Sequence, residues 1–119
     1  MISKQKKEEI EGYLSRDLDA LLVSLAETEY ALGFKFSSME IKPENGEEVL
    51  NSLENKLFNI ICVKWRFCEK KDNPRYNDTV NLISAIADII AALTIKVTPT
   101  LLAVILFKKG LSKFCKCPK

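Results

Sequence analysis

Apolar residues recur at three- and four-residue intervals along most of this chain, the spacing of one face of an α-helix. The densest stretch is Thr79–Phe114, TVNLISAIADIIAALTIKVTPTLLAVILFKKGLSKF. In its first half Val80, Ile83, Ile86, Ala87, Ile90 and Leu93 form one stripe, and Leu82 and Ile89 add apolar bulk on a second side. Asn81, Ser84 and Asp88 leave only a narrow polar stripe. A helix apolar around most of its circumference belongs in the middle of a domain, so this one is expected to be the most buried. Asn77 or Asp78 is the expected N-cap. Pro99 disfavours helical geometry at Thr98 and suits the first position of a new helix, with Thr98 as its cap. That second helix runs through Leu101–Phe107 toward Leu111 and Phe114, with Gly110 as a weak point or a stop.

Upstream, residues 3–32 read as one long amphipathic helix with Ser3 at its N-cap and the seam Ile10, Tyr13/Leu14, Leu18, Leu21/Leu22, Leu25. Gly33 is its expected stop. Residues 33–46 form a connection in which Phe34/Phe36 and Met39/Ile41 alternate, as in a short extended piece, and Pro43 and Asn45-Gly46 end it with turn chemistry. Between 46 and 70, the positions Val49, Leu50, Leu53, Leu57, Ile61, Trp65 and Cys68 predict a single helix. The competing reading is a helix to Phe58 and then a strand, because Ile61–Phe67 also alternates and is rich in strand formers. Residues 69–78 are a polar loop, and the lysine-rich C-terminus is expected to fray. The predicted fold is an all-α, compact bundle of about four helices, near 3–32, 46–70, 78–95 and 98–115. It forms one domain over residues 1–119, with the last two helices as a buried hairpin.

Charge changes this picture by giving the bundle two different ends. Residues 1–54 hold six basic and twelve acidic residues, a net −6, whereas residues 55–119 hold twelve and four, a net +8. Such a split makes the folded molecule a dipole or neutralises itself across packed helices. The chain has no histidine, which removes the commonest general base and metal ligand. Its four cysteines, Cys62, Cys68, Cys115 and Cys117, match no common zinc-ligand spacing. The N-terminus MISKQKKEEIEGY has no apolar signal-peptide core. A cytoplasmic location with four reduced thiols is the resulting expectation.

The chemistry-bearing candidates are few. Lys64, Arg66, Phe67, Lys70, Lys71 and Arg75 mix cations with an aromatic ring and form the candidate interaction surface. Residues 65 and 67 stand about 200° apart on a helix. Trp65 continues the Leu57–Ile61 seam, so Trp65 is expected inside and Phe67 outside. An isoelectric point of 8.3 is too mild for a nucleic-acid surface. Asp88 has no second acid or nucleophile at a catalytic spacing. The sequence therefore reads as a small non-enzymatic interaction module, an adaptor or regulatory subunit, without a cofactor. Its expected partner is an unidentified protein or a second copy of itself, because the 3–32 seam also fits a short heptad pattern. The alternative is a membrane-active protein that inserts residues 89–107, a run whose one charge is Lys96.

Overall fold

The computed structural model describes residues 2–28, 30–31 and 40–118. All regular structure among them is helical, with no strand, as the apolar spacing predicts. The α-helices are α1 (Lys4–Leu14), α2 (Leu18–Ala26), α3 (Pro43–Leu57), α4 (Phe67–Lys70), α5 (Thr79–Ala91), α6 (Pro99–Lys109) and α7 (Leu111–Phe114). A π-helical segment, Phe58–Lys64, continues α3, and Pro74–Tyr76 is a 3₁₀ turn. The candidate extended piece at 34–41, like the Gly33 stop, falls largely outside the described residues.

Two helix pairs make the body: α2 packs on α3, and α5 on α6. α1 lies against both α5 and α6, and α2 also meets α6. The centre is therefore α6 rather than α5. Every residue from Thr100 to Leu106 is buried, whereas α5 exposes Asn81, Asp88 and Ala91. The polar stripe on α5 marks a face that α6 does not have. The hairpin is built as expected, with Asp78 capping α5 through its Oδ1, which accepts from the Val80 and Asn81 amides at 2.8 and 3.2 Å. Pro99 opens α6, while Thr98 occupies the cap position without a side-chain hydrogen bond.

The first predicted helix is two. Ser3 does cap α1, its Oγ accepting from the Lys6 amide at 3.1 Å. The helix then stops at Ser15, and Asp17 starts α2 by accepting from the Ala20 amide at 2.8 Å. The break lets α1 cover the hairpin while α2 turns onto α3. The next helix begins earlier than predicted, at Pro43. Pro43 fills the first helical position, where its missing N–H is no loss. Asn45 is not a turn residue here: its Oδ1 accepts from the Lys42 amide at 2.8 Å. Gly46 lies where α3 crosses α2, and a Cβ there would sit 2.0 Å from the Leu22 carbonyl oxygen. Glycine is what permits that crossing.

The helical reading of residues 58–68 holds in type, and the strand reading does not, but the helix is not continuous. The ladder widens to i→i−5 bonding, with the Trp65 amide donating to the Ile60 carbonyl at 3.1 Å. The chain then turns at Arg66, whose φ of 61° and ψ of 56° are left-handed, and restarts as α4.

Candidate interaction surface

The turn at Arg66 decides which side chains of the candidate surface face outward. A π turn adds a residue to each loop of the helix, and one left-handed residue re-aims everything after it. The phase carried from Leu57 and Ile61 is lost by residue 65. Phe67 is consequently buried, at 3% exposure, and Trp65 is half-buried. This reverses the expected placement and removes the Phe67 ring from the surface. The apolar group actually presented there is Val63, 53% exposed, between Cys62 and Lys64. Simple alternation through Ile61, Val63 and Trp65 offered no sign that the middle residue alone would face outward.

The cations of the candidate surface divide by how firmly they are held. Lys64, Arg66 and Arg75 are exposed, whereas Lys70 and Lys71 are half-buried. The Arg66 guanidinium lies 3.8 Å from the Glu69 carboxylate, with both side chains about 70% exposed. Such a pair is worth little in water and leaves Arg66 available. Lys70 Nζ sits 5.5 Å from the centre of the Trp65 ring, a cation–π distance. The edge of Trp65 meets Tyr76, with ring centres 5.3 Å apart at 70°. The 3₁₀ turn carrying Arg75 is thereby fixed to the same wall.

All four cysteines are paired, which corrects the expectation of free thiols. Cys62 is bonded to Cys115 and Cys68 to Cys117. The tail does not fray: Cys115 is buried at 6% exposure, and Phe114 packs edge-on against Phe58 with ring centres 6.0 Å apart. The sequence spacing misled because each cysteine pairs across the fold rather than within its own segment. Among the described residues no group of His, Cys, Asp or Glu could hold a metal ion.

The bridges have an electrostatic consequence. They tie residues 62–75, with five basic and two acidic side chains, to residues 108–118, with four lysines and no acid. Lys113 and Lys116 are exposed. The bridges thus draw two basic segments of the second half of the sequence together. Part of their charge is offset where Lys109 pairs with Glu47 of α3. No described helix is long and apolar enough to cross a membrane. The 89–107 run is cut by the turn between α5 and α6, and its side chains are largely spent in the core.

No family model matches this sequence, and no curated protein or solved structure matches it.

Proposed function

We propose that this protein is a small non-enzymatic interaction module whose cross-linked basic end docks on an acidic protein surface. The observation that supports this reading is Val63, an exposed large apolar side chain followed in sequence by the exposed Lys64 and Arg66, on a segment stapled to the rest of the fold. An apolar contact accompanied by exposed cations suits a protein partner with complementary charge. The charges steer the encounter, and the desolvated group slows dissociation. The staples matter because a contact surface that is already ordered loses little entropy on binding.

The paired thiols bear on the compartment. Disulfides persist where conditions are oxidising and are opened in a reducing cytoplasm. Cytoplasmic residence therefore requires the fold to survive reduction, which circular dichroism with and without a dithiol will decide.

Affinity capture by wild-type protein, run beside a Val63→Asp variant and a Lys64→Glu/Arg66→Glu variant, tests the function. All three positions are exposed, so the variants should melt with the wild type. A protein retained by the wild type, released by moderate salt and lost with both variants is the expected result. The reading fails if the same proteins are retained by all three baits. Sedimentation of the isolated chain separates self-association, which would appear as a concentration-dependent dimer weakened by the same substitutions.

A further inference from the structure

The polar stripe on α5 has no part in the basic end, and it does not simply face water. It forms one wall of a cleft of about 640 Å³ between α5, the N-terminal part of α1 and the 3₁₀ turn. Lys6, Arg75, Tyr76, Asn81, Ser84 and Asp88 supply its polar lining. Ser84 is the informative residue. It is only 9% exposed and lines the cleft, and because no side-chain oxygen among the described residues is buried without a partner, its hydroxyl is open to whatever fills the cleft.

The charged groups of the cleft are likewise open to a ligand. The Lys6 ammonium donates one hydrogen bond, to Thr100 Oγ1 at 3.1 Å, and has no carboxylate of the described residues within ion-pair distance. Neither Arg75 nor Asp88 forms an ion pair among the described residues. The frame holding these groups is nonetheless ordered. Tyr76 is set against Trp65, and Asn73 Oδ1 accepts from the Arg75 amide at 2.9 Å. Chain order places Arg75 just ahead of the first turn of α5, whereas Lys6 is held by Thr100 in the first turn of α6, beyond the last turn of α5. From Asn81 to Asp88 the stripe runs roughly 10 Å at the usual rise per residue, the length of a small metabolite.

We propose that this cleft binds a small polyhydroxylated molecule bearing an oxyanion, a phosphate ester or a carboxylate. Two cations against one carboxylate select for negative charge. The Arg75 guanidinium is suited to grip an oxyanion through two parallel N–H donors, and the Lys6 ammonium has two N–H groups unspent. Ser84, Asn81 and Asp88 offer a hydroxyl, an amide and a carboxylate to the ligand's own hydroxyls. This inference does not depend on the docking role of the basic end, because α5 and α1 carry most of the site.

Titration calorimetry on the full chain tests it, with glucose 6-phosphate, gluconate and inorganic phosphate as probes at low salt. Saturable binding of at least one hydroxylated anion, tighter than inorganic phosphate, is expected. Binding of the first probe alone identifies a phosphate ester, and of the second alone a carboxylate. Arg75→Gln should weaken binding by about tenfold, as loss of a charge-assisted pair does. Asp88→Asn should narrow the preference for the hydroxylated anions over inorganic phosphate, because it removes a hydroxyl acceptor and a like charge together. Both positions are exposed, so the fold should tolerate these changes. Three results would overturn the proposal: no binding of either anion at concentrations on the order of 10 mM, binding unchanged in both variants, or inorganic phosphate binding as tightly as the larger probes.

Discussion

Ile86 and Leu102 are fully buried, one on each helix of the C-terminal hairpin. Truncating either to alanine should cost about 2–5 kcal/mol, read from denaturant unfolding. Both positions are legible in the sequence, because period alone places them on the apolar face. The two helical glycines are not, since they look alike in sequence. At Gly12 on α1 a Cβ would meet nothing within 4 Å. Gly12→Ala should therefore stabilise the protein by about 0.5–1 kcal/mol, the ordinary helix-propensity gain. At Gly46 the same propensity gain is overwhelmed. The added Cβ would stand 2.0 Å from a main-chain oxygen of α2, and no rotamer relieves a backbone clash. Gly46→Ala should push α2 off α3 and cost about 1–3 kcal/mol or more. Equal effects at the two glycines would mean that the α2–α3 crossing is not as close as described.

At the scale of elements, the sequence announces helices more clearly than their interruptions. Leu14 and Leu18 are four apart, so the seam of residues 3–32 keeps helical phase straight through the break between α1 and α2. The only local sign is Asp17 ahead of Leu18, with its carboxylate in reach of the Ala20 amide. Asp17→Ala should cost about 0.5–2 kcal/mol. Hydrogen exchange should show the loss first in the opening amides of α2; exchange unchanged there would mean that packing, not the cap, sets the break. The expected placement of Phe67 fails for the same reason. Period extrapolates one helix through residues 58–68, and a π segment followed by a left-handed Arg66 violates it twice. The cations are legible in the sequence, since charge does not depend on phase. The apolar anchor is not, because whether Val63 or Phe67 faces outward depends entirely on it.

For the whole molecule, the charge split between the two halves was countable, but which basic segments come together was not. Four cysteines allow three pairings, and only the fold brings residues 62 and 68 up to 115 and 117. Peptide mapping without reductant should recover the Cys62–Cys115 and Cys68–Cys117 links. Their energetics should also be non-additive in a particular way. The bridges span sequence separations of 53 and 49 residues, so either alone closes a long loop in the unfolded chain and contributes about 4 kcal/mol in the chain-entropy treatment. Once one is present, the other closes only the small ring through residues 62–68 and 115–117, about ten residues and about 2.7 kcal/mol by the same relation. Replacing one pair with serine should therefore cost about 2.7 kcal/mol whichever pair is chosen, whereas replacing both should cost about 7 kcal/mol. The order of removal fixes the size of each step, because the remaining bridge already holds the tail beside the π segment. If each single replacement cost as much as half of the double one, the two bridges would act as independent links, and the basic end would not be the jointly stapled unit that docking requires.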